Sequence, residues 1–243
     1  LQFPWKANTN GVIDMQAIKN QVSSAYLIFI SSLFMPAGLS LRKFLRSGYK
    51  RSYDIVLSGG LLLLLSPLLV VTAAAILFES RGPIFFRQQR VGKNGEQFSI
   101  YKFRSMCTDR ALHRQVESMS GDRDGICKKF VNDPRVTRVG QFIRKYSIDE
   151  LPQLINVLRG EMSMIGPRPA LPAEVAQYSE YQRGRLKALP GISGLWQVSG
   201  RADLNFDQQV ELDLQYIRQQ SLVTDLRIAL KTVPAVLSGS GAY

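Results

Sequence analysis

IVLSGGLLLLLSPLLVVTAAAILF, residues 55–78, holds no charged side chain and decides how the rest of the chain is arranged. It is long enough to reach through a bilayer, for which about 20 apolar residues suffice. It starts too far along the chain, and runs too long, for a cleaved signal peptide. The flanks oppose a plain crossing. Arg42, Lys43, Arg46, Lys50 and Arg51 precede it, while Arg81, Arg87, Arg90 and Lys93 follow. Basic residues on both sides assign both ends to the cytoplasm. Ser66-Pro67 falls at the midpoint. Proline removes a backbone hydrogen bond and clashes with the carbonyl four residues back, and the serine hydroxyl can satisfy a group freed by the break. The pattern predicts a helix that enters one leaflet, turns at Ser66-Pro67 and returns. A kinked spanning helix is the competing reading.

Outside this stretch the chain has the composition of a folded domain. Its 243 residues, 45% of them apolar, can bury a core. Lys and Arg outnumber Asp and Glu by 31 to 19, for a formal charge of +12. Such a surface suits polyanions. No zinc-finger spacing or ribonucleoprotein-like motif occurs, so lipid and phosphate are better candidates than nucleic acid. Cys107 and Cys127 are the only cysteines, which fits a reducing compartment. His113 is the only histidine, which argues against a histidine metal site or a Ser-His-Asp triad. A second apolar patch, residues 25–41, is interrupted by Pro36 and Gly38; it either lies in the interface or crosses marginally.

Beyond Gly82-Pro83 the Asn94-Gly95 pair predicts a tight hairpin, followed by a strand carrying Phe98, Ile100 and Phe103. Residues 108–133 are polar and read as a loop or lid. A short basic helix is expected over 138–146, a buried helix over 151–158 stopped by Gly160, and an amphipathic helix over 172–187. Residues 206–220 and 222–237 have helical spacing, with Leu222, Leu226, Ala229, Leu230, Val233 and Leu237 on one stripe.

The chemistry concentrates at Arg144-Lys145-Tyr146-Ser147-Ile148-Asp149-Glu150-Leu151-Pro152-Gln153-Leu154, followed by Gly166-Pro167-Arg168-Pro169. An ionised aspartate can attack phosphorus, and an adjacent carboxylate can hold Mg²⁺, so Asp149 and Glu150 form a candidate catalytic pair. Ser147 and Glu150 also fit a capping box, a purely structural alternative that Pro152 complicates. Arg144 precedes the pair by about one turn. Lys102 and Arg104 flank Phe103, so both can face phosphates from one side of the strand. Arg168 is fixed between prolines, which suits bidentate phosphate contacts. Asp122 and Asp124 match a D-x-D pattern and carry the competing reading, a nucleotide-sugar glycosyltransferase. A non-catalytic basic scaffold on anionic lipid is the third reading.

In combination these motifs resemble the bacterial sugar transferases, the monotopic polyprenyl-phosphate phosphoglycosyl transferases. The matching residues are Lys50-Arg51-Ser52-Tyr53-Asp54, Ser66-Pro67, Gly82-Pro83-Ile84-Phe85-Phe86, Tyr101-Lys102-Phe103-Arg104-Ser105-Met106 and Asp133-Pro134-Arg135-Val136-Thr137. They continue through Asp149-Glu150, Gly160-Glu161-Met162-Ser163, Gly166-Pro167-Arg168-Pro169 and Pro190-Gly191-Ile192-Ser193-Gly194. The resemblance implies a helix-rich α+β monotopic membrane protein of the bacterial inner membrane. Residues 1–49 would be an extension, 50–80 a re-entrant kinked helix hairpin, and 81–243 a catalytic domain facing the cytoplasm. It implies attack by Asp149 on a UDP-hexose, release of UMP, and transfer of the sugar phosphate to undecaprenyl phosphate, initiating exopolysaccharide, capsule or O-antigen synthesis. Glu150 would coordinate Mg²⁺, Lys102 and Arg144 would hold phosphates, and Arg168 would help place the nucleotide. The segment Gly194-Leu195-Trp196-Gln197-Val198-Ser199-Gly200-Arg201 resembles members handling galactose or glucose, with Arg201 a further substrate contact. A homo-oligomer is compatible with this resemblance.

Overall fold

The computed structural model describes residues 41–109, 112, 133–200 and 204–237, with side chains from Tyr49 onward. The chain divides between Arg42 and Lys43, and the features below, the first two residues of one helix aside, belong to the unit Lys43–Tyr243. Residues 25–40 of the second apolar patch, nearly all of the expected loop 108–133, and Arg201 lie outside the described residues.

The uncharged stretch forms two helices, α1 (Leu41–Leu64) and α2 (Ser66–Glu79). Pro67 sits in the first turn of α2, where its missing N–H is not needed, and Ser66 Oγ donates to the Leu63 carbonyl at 2.8 Å. The part of α1 from Tyr49 and the whole of α2 are bent by 60° at this break. Among the described residues no single helix is long and apolar enough to cross a membrane.

The two arms attach to the same folded body. On α1, Arg51 donates to the Val157 and Leu158 carbonyls at 2.6 and 2.7 Å. Asp54, also on α1, accepts from Ser163 Oγ and the Met164 N–H at 3.0 and 2.9 Å. On α2, Ile76 packs with Phe103, Ile143 and Ile148. Glu79 accepts the Arg138 N–H at 2.8 Å, meeting an orphan donor at a helix start. Away from these contacts Val56, Leu63, Leu64, Val70, Val71 and Phe78 are exposed.

Strands β1 (Phe85–Val91) and β2 (Gln97–Phe103) pair antiparallel, with Phe85 opposite Phe103 and Val91 opposite Gln97. Asn94 and Gly95 supply the positive φ of the hairpin turn, 57° and 87°. The other side of β2 meets α4 (Leu154–Arg159), whose Asn156 accepts from the Tyr101 N–H and donates to the Ser99 carbonyl. Phe98 and Ile100 pack there on Val157 and Met162. Helix α3 (Arg138–Lys145) starts at Thr137, whose hydroxyl accepts from the Gly140 N–H. Gly160, at φ 85°, ends α4 as its sequence position predicts.

Strand β3 (Ser163–Ile165) runs parallel to β4 (Gly191–Ser193). The expected helix over 172–187 is instead three short pieces: α5 (Pro172–Val175), α6 (Glu180–Arg183) and a 3₁₀ turn, Gly184–Lys187. Ser179 breaks it by capping a fresh start, exchanging hydrogen bonds with Gln182. Helices α7 (Phe206–Gln219) and α8 (Leu222–Leu237) match their expected spans. On α8 the apolar stripe points outward: Leu222, Leu226, Leu230, Val233 and Leu237 are all more than half exposed, while Thr224, Asp225 and Ile228 are buried. The architecture is helix-rich α+β with two small sheets.

Candidate active site

Asp149 and Glu150 lie on a 3₁₀ helix, Ile148–Gln153, that leads directly into α4. Its cap is not the one the S-x-x-E pattern predicts. Ser147 adopts a left-handed conformation, φ 54°, and its side chain makes no cap hydrogen bond. That conformation is unfavourable for a residue with a Cβ, by about 1–2 kcal/mol. It reverses the chain between α3 and the acidic pair and frees Glu150 from capping. Pro152 lies inside the segment, where it donates no backbone hydrogen bond.

The segment packs between α3 and β2, which brings in the cations. Lys102 Nζ lies 2.5 Å from Glu150 Oε1. Arg144, on α3, donates through Nε to Ser105 Oγ at 2.8 Å, and its charge acts on Asp149. Burial pushes the Asp149 carboxyl up to about 6, reinforced by the Glu150 charge and opposed by Lys102 and Arg144. Burial acts on Glu150 in the same direction but is outweighed by Lys102, then Arg168 and Arg90, so this carboxyl is held well below the usual range. The pair is therefore split electrostatically, with Glu150 the more acidic partner.

Arg168 enters from the opposite wall. The turn that carries it is fixed by close backbone approach: Gly166 N–H donates to the Ser193 carbonyl at 2.9 Å and Gly191 N–H to the Pro167 carbonyl at 2.8 Å. A Cβ on Gly191 would collide with the Gly166 backbone, so only glycine lets these segments meet. Lys102, Glu150 and Arg168 thus line one pocket, together with Arg90, Gln153 and Gln197. Arg90 is steadied by donating to the Pro169 carbonyl at 3.0 Å. Sequence patterning singles out none of these last three residues, because they meet through β1, the 3₁₀ helix and the segment after β4.

One sequence expectation is corrected. Arg104 does not face the pocket with Lys102. It lies just beyond the end of β2, is buried, and donates to the Arg81 and Ser80 carbonyls at 2.7 and 2.6 Å. Strand alternation stops applying once the strand ends, and the guanidinium instead satisfies carbonyls at the C-terminal end of α2. Asp122 and Asp124 lie outside the described residues.

A divalent metal can be accommodated in one way. Among the described residues no group of three or more His, Cys, Asp or Glu forms a cage. Mg²⁺, however, commonly uses one or two carboxylates plus substrate phosphates. Glu150, with Asp149 beside it, offers that donor set.

A folded body holding two adjacent carboxylates among pocket-facing cations is that of a group-transfer enzyme acting on phosphates. The bacterial sugar transferase family model matches residues 45–239, and the chain belongs to that family. The exopolysaccharide production protein ExoY of Rhizobium meliloti is 41% identical over 198 residues, covering 80% of this chain and 88% of that protein. The undecaprenyl-phosphate galactose phosphotransferase of Salmonella typhimurium is 42% identical over 201 residues, covering 80% of this chain and 41% of its own. The UDP-glucose:undecaprenyl-phosphate glucose-1-phosphate transferase of Escherichia coli is 42% identical over 202 residues, with the same coverage of 80% and 41%.

Proposed function

We propose that this protein transfers a hexose 1-phosphate, galactose or glucose, from a UDP-hexose to undecaprenyl phosphate through a covalent aspartyl intermediate. The step would initiate exopolysaccharide, capsule or O-antigen synthesis. The observation that carries the reading is the placement of Asp149 beside Glu150, Lys102 and Arg144, next to a pocket walled by Arg168 and Arg90. The names of the relatives supply the donor and acceptor classes.

In this mechanism an Asp149 oxygen attacks the phosphorus bonded to the hexose. The bond from that phosphorus to the bridging oxygen breaks, and UMP leaves with the electron pair. A phosphate oxygen of undecaprenyl phosphate then attacks the same phosphorus and regenerates the carboxylate. Lys102, Arg144 and Arg168 offset the negative charge that gathers during both displacements. Glu150 would hold Mg²⁺, which would supply further charge neutralisation.

The acceptor is a lipid, and a monotopic placement in the bacterial inner membrane suits it. Attachment of both arms to one body supports a placement in which the ends of the bent pair share one side of the membrane. At a bend of 60° the arms incline by about 30° to the surface and reach roughly 10–12 Å deep, less than one leaflet's hydrocarbon. The outward stripe of α8 adds apolar surface for the same interface. The basic flanks support a cytoplasmic placement of the catalytic body.

The test is incubation with UDP-galactose or UDP-glucose, with and without undecaprenyl phosphate. Release of UMP, with a hexosyl-phosphate adduct on Asp149 under conditions that preserve acyl phosphates, is the expected result. Release of UDP, or turnover without an adduct, overturns the reading.

A further inference from the structure

Two buried amides three positions apart, Gln153 and Asn156, stand in opposite circumstances. Asn156 is fully buried and satisfied, accepting from the Tyr101 N–H at 3.0 Å and donating to the Ser99 carbonyl and Glu161 Oε2 at 2.8 and 2.7 Å. Gln153 is 2% exposed and borders the pocket, yet among the described residues its side-chain amide has no hydrogen-bond partner. Nor is it among the described polar side chains that are both occluded and unpartnered, so it has an opening, and the open space it borders is the pocket. Buried amides are ordinarily hydrogen-bonded, and one left open to a pocket points to a ligand group that completes it.

The position narrows what that group is. In a 3₁₀ helix residues three apart eclipse, so Gln153 lies on the same side of the Ile148–Gln153 segment as Glu150. Lys102, Arg90 and Arg168 already supply donors for phosphate oxygens there. An amide can donate to phosphate oxygens through its NH2, but such a contact leaves its carbonyl oxygen without a partner. A hydroxyl both donates and accepts, and so uses both ends of an amide. The pocket's other amide, Gln197, is held at its nitrogen end, its Nε2 donating to the Ile192 carbonyl at 3.3 Å.

We infer that Gln153 is a specificity-determining residue whose side-chain amide receives one hydroxyl of the hexose carried by the donor. This rests on the sugar-phosphate transfer proposed above. The chemistry recognised is a sugar hydroxyl close to the reacting phosphate, distinct from the phosphate contacts of the cations.

The experiment compares UDP-glucose and UDP-galactose with their monodeoxy analogues, measuring UMP release by the full chain in membranes. Wild-type protein, Gln153→Ala and the length-matched Gln153→Met are compared, with folding checked by melting temperature. One monodeoxy donor is expected to lose on the order of 10- to 100-fold in kcat/KM with wild type, and that loss is expected to disappear in both variants. Wild-type indifference to every single deletion overturns the assignment. So does a penalty that persists unchanged in the variants, or one equal reduction for all donors, which would mark Gln153 as structural. Absence of UMP release by wild type with every parent donor instead defeats the underlying transfer reaction.

Discussion

Two part-buried lysine–carboxylate clusters in this protein differ in how completely they are closed. Lys50 directs its ammonium at Asp225 Oδ2, Tyr216 Oη and the Ile165 carbonyl, at 2.7, 3.1 and 3.0 Å. Tyr216 Oη in turn lies 2.8 Å from Asp225 Oδ1. Every donor of that lysine has a partner. Lys102 also holds a carboxylate, but Glu150 is joined there by a second carboxylate and by the charges of Arg144, Arg168 and Arg90. The first cluster locks α1 to α7, α8 and the base of the Arg168 turn. The second has cations beyond what its carboxylates use and an opening beside it. Closure marks the structural cluster, and residual charge with an open face marks the site.

The sharpest way to test this contrast is Asp149→Asn. It should lower UMP release by at least about 10⁴-fold, because the nucleophile is gone, while membrane binding and folding persist. In the closed cluster the reverse is expected. Lys50→Met should destabilise by about 3–5 kcal/mol, because the buried Asp225 carboxylate loses the cation that faces it, and denaturant midpoints would show it. Any residual folded enzyme should keep its donor KM.

Smaller effects probe the boundary between the two kinds of cluster. Asp149 has a folded-state pKa of about 6 against 3.8 for an unperturbed carboxyl. A raised carboxyl pKa contributes stability below about pH 4 that is lost as pH rises through 6, where the folded protein must finally ionise. Asp149→Asn should therefore gain about 2–3 kcal/mol at pH 7.5, a gain that shrinks as pH falls to 4. Thermal unfolding without Mg²⁺ across that range measures it. No gain at neutral pH would mean the carboxylate is not held at electrostatic expense. Arg104→Gln should lower stability by about 1–3 kcal/mol with the donor KM within twofold of wild type. A large KM effect with intact stability would return Arg104 to the pocket.

What could be read from the chain was local. The Asn94-Gly95 turn, the Gly160 stop, the break at Ser66-Pro67 and the adjacency of Asp149 and Glu150 depend on neighbouring residues, and each stands in the structure where the sequence put it. What escaped depends on residues far apart. The partners of Lys50 lie more than 100 positions away, and Arg104 turns to carbonyls more than 20 positions back. Ser147 shows the limit from the other side: its motif allows a capping box, but the reversal between α3 and the 3₁₀ helix needs a left-handed residue at that place. Gln153 is legible only once Lys102, Arg168 and Gln197 are assembled around it.

The bend between α1 and α2, held at both feet by one body, has a mechanical corollary under the proposed membrane placement. A helix that crosses a bilayer must reconcile its length with two water boundaries, by tilting or by deforming the lipid. This wedge meets only one boundary. How far it sinks is set by arm length and bend angle, so the height of Asp149 above the lipid phosphates should be the same in thin and thick bilayers.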